Sequence, residues 1–90
     1  MVKLKGWTFK DHCKFLESYG FKLGHVTGSH FFYYGSIKGK QRVVQAINNS
    51  YEKKCQSMKT MNFSIKHSGI DKKYYIEWKL NKVIHHEIIK

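Results

Sequence analysis

Val26-Thr27-Gly28-Ser29-His30-Phe31-Phe32-Tyr33-Tyr34 is the stretch on which the reading of this chain turns. A Gly-Ser pair, suited to a tight reversal, separates two runs with strand character. Gly28 has no Cβ, so its backbone can take conformations other residues avoid or let a ligand come close. Ser29 adds a turn-favouring hydroxyl. The second run opens on His30 and continues through four aromatics, which suit a pleated, half-buried surface. The segment therefore reads as a hairpin that delivers a histidine to a strand mouth. There a side chain with a reference pKa of about 6.5 can reach a bound phosphodiester. The plain alternative is a hairpin turn whose histidine is simply exposed.

Working outward, residues 8–19 read as a helix. Thr8 and Asp11 form a variant of the capping box, and Phe9, Cys13 and Leu16 recur at helical spacing, widened by Phe15 and Tyr19. Gly20 suits a left-handed helix end. Phe21–Thr27 alternates loosely as a strand that Gly24 weakens or bulges. His30–Ile37 makes a second strand, Ser36–Lys40 a turn, and Lys40–Ile47 a third strand. The links are too short for parallel crossovers, so the three form an antiparallel meander.

A second helix is expected to begin between Tyr51 and Gln56 and to end near Ser68-Gly69, with Met58, Met61, Phe63 (or Asn62) and Ile65 as its apolar stripe. In the tail, Asp71 suits the cap of a short helix carrying Tyr74, Tyr75 and Trp78, while Tyr74–Trp78 also fits a strand. The fold class is α+β: an α-β-β-β-α sandwich, a three-stranded antiparallel sheet with helices on one face. Ninety residues make one domain, residues 1–90.

Six Phe, six Tyr and two Trp must supply much of so small a core, and with no proline the turns fall to Gly, Asn, Ser and Asp. Seventeen Lys or Arg stand against six Asp or Glu, a formal +11. Such a chain seeks polyanions, nucleic acid first and an acidic protein second. All the basic residues but Arg42 are lysine, which favours phosphate-backbone contact over base reading. Cys13 and Cys55 have no metal-ligand spacing and read as thiols in a reducing cytoplasm, with one disulfide between them as the alternative. No apolar run resembles a signal peptide or reaches membrane-spanning length, so a cytoplasmic protein with no membrane contact is expected.

In order and spacing, Phe15-Leu16-Glu17-Ser18-Tyr19-Gly20-Phe21, Val26-Thr27-Gly28-Ser29-His30 and Met61-Asn62-Phe63-Ser64-Ile65-Lys66-His67-Ser68-Gly69-Ile70 resemble the HicA family of toxins from toxin–antitoxin pairs. The similarity covers residues 8–72 and leaves 73–90 as a C-terminal extension. It implies a fold like the double-stranded-RNA-binding domain, an mRNA-cleaving endonuclease activity, and a HicB-type antitoxin that masks the active site. By the same resemblance His30 matches the catalytic histidine and Gly28 the glycine beside it. The chain departs from the family after its third strand, where Gln45-Ala46-Ile47-Asn48-Asn49 stands in place of a segment that usually holds Pro and often His.

RNA carries its own nucleophile, the 2′-hydroxyl, so cleavage needs a positioned proton acceptor or donor and some charge stabilisation. His30 is the catalytic candidate. Gly28, Ser29, Lys22, Lys38, Lys40 and Arg42 are candidates for RNA contact, the cations having a solvated strand edge as their plain alternative. Of Tyr33 and Tyr34, one should face the core and the other can stack on a base. His12, His25, His67 and the adjacent His85-His86 read as structural or exposed. No Cys/His cluster suits zinc, and no phosphate loop or serine-nucleophile motif is present, so neither metal nor cofactor is expected. A non-catalytic RNA-binding module of the same fold is the alternative function.

Overall fold

Gly28-Ser29 is a two-residue hairpin turn in the computed structural model, which describes residues 6–48 and 55–89. It joins β1 (Lys22–Thr27) to β2 (His30–Ile37), with Thr27 paired directly to His30. Gly28 has φ +59° and Ser29 lies outside the positive-φ region, the signature of a type II′ turn. Lys38 and Gly39, at φ +54° and +78°, make a type I′ turn into β3 (Lys40–Ile47). The sheet order is β1-β2-β3, antiparallel throughout, as the short links require.

Alternation separates the faces of this sheet. Tyr33, Ile37, Val44 and Ala46 are buried on the inner face, while His30, Tyr34, Ser36, Val43 and Gln45 remain exposed on the outer one. Of the two readings of Gly24, a weakened strand or a bulge, the structure has the bulge: register shifts between Leu23 and His25. Glycine is required there, because a Cβ would lie 2.5 Å from the Tyr34 ring. The bulge also resets the phase of β1, so that His25 and Thr27 share the outer face with His30.

Helix α1 (Phe9–Ser18) has the expected capping box, with reciprocal hydrogen bonds between Thr8 and Asp11. It buries Cys13, Phe15 and Leu16, and also His12. Helix α2 (Met58–Ser68) begins later than the sequence suggests, because Ser57 Oγ caps it by accepting from the Thr60 N–H at 3.1 Å. Tyr51–Lys54, part of the expected start, fall outside the described residues. Its inner stripe is also different: Met61, Ser64 and Ser68 are buried, whereas Phe63 is 46% exposed. Two serines can take core positions here because both hydroxyls are hydrogen-bonded.

The tail is helical. In α3 (Lys72–Asn81), Tyr75 and Trp78 are buried. Asp71 occupies the N-cap position without a side-chain bond. Trp7, Phe15, Tyr75 and Trp78 form one aromatic cluster, with Phe15 stacked on Tyr75 at 4.1 Å and edge-on to Trp7 at 5.5 Å. Lys79 ties α3 to α1 through an ion pair with Asp11 and a 3.0 Å hydrogen bond to the Gly6 carbonyl. Burial alone would raise the Asp11 carboxyl, but Lys79 and the capping bonds outweigh it and hold it below the usual range. Beyond α3, a 3₁₀ turn at His86–Ile88 buries Ile88, whose carbonyl accepts from the Lys38 N–H at 2.9 Å. The fold is α+β: an open three-stranded antiparallel sheet with helices packed on its inner face.

Candidate functional site

The outer face is concentrated around His30. Its cross-strand neighbours are Thr27 on β1 and Ile47 on β3. Gln45, one same-face step along β3, places its Oε1 against His30 Nδ1. With the amide oxygen facing it, a neutral His30 ring carries its proton on Nδ1 and presents the Nε2 lone pair away from the bond. Gln45 thereby sets both the ring orientation and the tautomer, as the orienting partner of a catalytic base does.

On the other side lies His25, diagonal to His30 across the β1–β2 pair, a relation that separates backbone positions by about 7–8 Å. Its Nε2 is hydrogen-bonded to Thr27 Oγ1 at 2.6 Å, and its ring packs against Phe32 at 5.6 Å. Two exposed imidazoles, Phe32 and an amide thus share one solvent-facing patch beside the turn.

Gly28 and Ser29 lie at this patch, with the Ser29 carbonyl accepting from the Asn48 N–H at 2.7 Å. A Cβ on Gly28 would meet nothing within 4 Å, so its glycine requirement comes from φ alone. The expected cations lie elsewhere. Lys40 pairs with Ile37, seven residues along β2 from His30, or about 24 Å at strand rise. Lys38 is in the same distal turn, and Lys22 sits opposite Tyr34, partway along the sheet. Arg42 turns to the inner face, its guanidinium within 2.9 Å of where a Cβ on Gly69 would stand, and its Nε is buried with no hydrogen-bond partner among the described residues. The sheet does not gather these four around His30, because strand adjacency in sequence is not proximity at one end of a sheet.

Gln45 and His25 are the residues that sequence reasoning passed over. Their signal was the period-2 alternation counted from His30, which becomes usable only once the register and the Gly24 bulge are known.

Beneath the sheet a second polar cluster is wholly enclosed. Gln56 clasps Ile47, donating to its carbonyl at 2.6 Å and accepting from its N–H at 3.0 Å, which fixes the amide orientation. Gln56 Oε1 therefore accepts from His12 Nδ1 at 3.3 Å, leaving His12 Nε2 to accept from Ser64 Oγ at 2.8 Å. Ser64 Oγ in turn meets Tyr75 Oη at 2.7 Å, and Tyr75 meets Ser68 at 2.9 Å. Burial pushes the His12 imidazole down to about 4, partly opposed by Gln56, and the Tyr75 phenol up to about 12. The order Ser–His–Gln matches a nucleophile–base–orienter relay, but Ser64 is 1% exposed and Tyr75 occupies its oxygen. Its work is structural: it joins α1, α2, α3 and β3 through satisfied hydrogen bonds.

Between β3 and α2 runs a cleft of about 230 Å³, lined by Gln45, Ile47, Thr60, Phe63, Ser64 and His67. Gln45 is common to this cleft and the His30 patch. Among the described residues no group of three His, Cys, Asp or Glu is placed to hold a metal ion, and no helix is long and apolar enough to cross a membrane. Comparison with family models, curated proteins and solved structures finds no match for this chain.

Proposed function

We propose that this chain is an endoribonuclease that cuts mRNA at the outer sheet face, with His30 as general base. The observation that carries the reading is the Gln45–His30 bond, which leaves Nε2 as a free acceptor on an open surface of a +11 protein. His30 Nε2 takes the proton of a ribose 2′-hydroxyl, and the 2′-oxygen attacks the adjacent phosphorus. The bond from phosphorus to the 5′-oxygen breaks, and His25 in its protonated form gives that oxygen a proton. The products are a 2′,3′-cyclic phosphate and a free 5′-hydroxyl, and each histidine ends in the protonation state the other began with. Lys22, Lys38 and Lys40 hold phosphates farther along the same RNA, since they lie at a distance from the cut. An acidic partner of the HicB antitoxin type, as the resemblance implies, would inhibit by covering this face.

The test is His30→Ala, with cleavage rate, RNA affinity and thermal midpoint measured on one preparation. Cleavage should fall about 10²–10⁴-fold while the other two hold, because the side chain is exposed and its loss opens no cavity. A folded variant that cuts at the wild-type rate overturns the assignment. RNA binding without cleavage by the wild type would make the chain a non-catalytic RNA-binding module.

A further inference from the structure

The cleft between β3 and α2 lies one side chain from His30 and has an aromatic wall. Its volume, about 230 Å³, is below the roughly 300–1,000 Å³ of drug-sized pockets, so it takes one ring system and leaves sugar and phosphate outside. One wall carries Phe63 and His67, one turn apart on α2. His67 stacks on Phe63 with centroids 5.5 Å apart and planes 17° from parallel, and the Lys59 ammonium stands 5.9 Å from the Phe63 centroid. Phe63 is 46% exposed, at a helix position where the periodicity would have allowed burial. The opposite wall offers the Gln45 amide, and Thr60 and Ser64 complete the lining, the Ser64 hydroxyl being turned into the buried cluster.

We propose that this cleft is a nucleobase subsite, holding the base of the nucleotide whose phosphate is presented to His30; the inference rests on the endoribonuclease reading above. The base stacks on the Phe63 ring that lines the cleft, and the Lys59 ammonium, 5.9 Å from that ring, is near enough to meet a phosphate. Charge favours a nucleotide as occupant: α2 carries lysines and a histidine but no acidic residue, on a chain of formal charge +11. Gln45 couples the two sites, because the amide that orients His30 also lines the cleft.

The experiment is an NMR titration of the full chain with each of the four ribonucleoside 3′-monophosphates and, separately, ribose 5-phosphate. At least one nucleotide should shift the Phe63 and His67 ring signals, and ribose 5-phosphate should not. Phe63→Ala should weaken that nucleotide about tenfold, and Phe63→Trp should restore it, as stacking is tolerant of ring type. Phe63 is exposed, so neither change threatens the fold. Nucleotides and ribose 5-phosphate that shift His30 and His25 alike, with Phe63 and His67 unmoved, would remove the base subsite and leave the catalytic reading standing. No shift at any of these residues would remove both.

Discussion

His12 and His30 show how strongly a histidine's environment decides its use. His30 stands on an exposed strand with one nitrogen tied to Gln45. His12 is sealed, neutral and bonded at both nitrogens. Because burial lowers the His12 pKa in the fold from 6.5 to about 4, the unfolded chain binds the extra proton first as pH falls. The contribution is therefore fully present above about pH 6.5 and is lost progressively down to about pH 4. The shift corresponds to about 3 kcal/mol. His85 runs the other way: hydrogen bonding to Glu77 raises it, so its contribution is present at low pH and fades only as pH rises above 6.5. Asp11, held below its ordinary value, contributes above about pH 3.8 and loses that contribution only as pH falls further. Urea denaturation between pH 7 and 4 should thus show a steep loss of stability that His12→Gln largely flattens. An unchanged slope in that variant would mean that His12 is not the group titrating.

Among the elements, α3 carries the surprise. A sequence reading that ends the core near residue 72 treats the tail as an extension, yet Trp78 is 4% exposed and stacks on Trp7 at 5.6 Å. The apolar period of this helix is weak in sequence because Lys72, Lys73, Lys79 and Lys82 crowd it, and Lys82 folds over Trp78 at 3.9 Å. Trp78→Ala should cost about 3–5 kcal/mol, the range for removing a large buried aromatic. Against a typical total of about 5–15 kcal/mol this is a large share, readable as a lower urea midpoint. A change within about 0.5 kcal/mol would show that the tail is dispensable.

For the molecule as a whole, the charge sets the behaviour. The lysines are spread along the sheet, its distal turn and the helices, so an RNA strand would be held at many weak phosphate contacts. Affinity for single-stranded RNA should fall with a log–log salt slope of about −0.7 per phosphate neutralised, several units in total. Fluorescence anisotropy from low to physiological salt measures it, and a slope near zero would remove the RNA backbone as principal ligand. With Lys38 and Lys40 about 24 Å from His30, changing them to Gln should lower affinity and slope together while leaving the cleavage rate of bound RNA intact.

The local devices were legible in the residues themselves. The tight turn at Gly28-Ser29, the Thr8–Asp11 capping box, the irregularity at Gly24 and the bounds of β2 and β3 each follow from short-range sterics and hydrogen bonding within a few residues. The same short range marked His30 for attention but not its company. Gln45 is fifteen positions away and reaches His30 only through strand register, while Arg42, one of the expected RNA contacts, turns inward by one step of alternation. The enclosed line from Gln56 through His12 and Ser64 to Tyr75 ties together three helices, and nothing in the spacing of those residues announces it. Buried polar groups find partners wherever packing brings them, so only the tertiary structure could decide which histidine is structural and which is free to act.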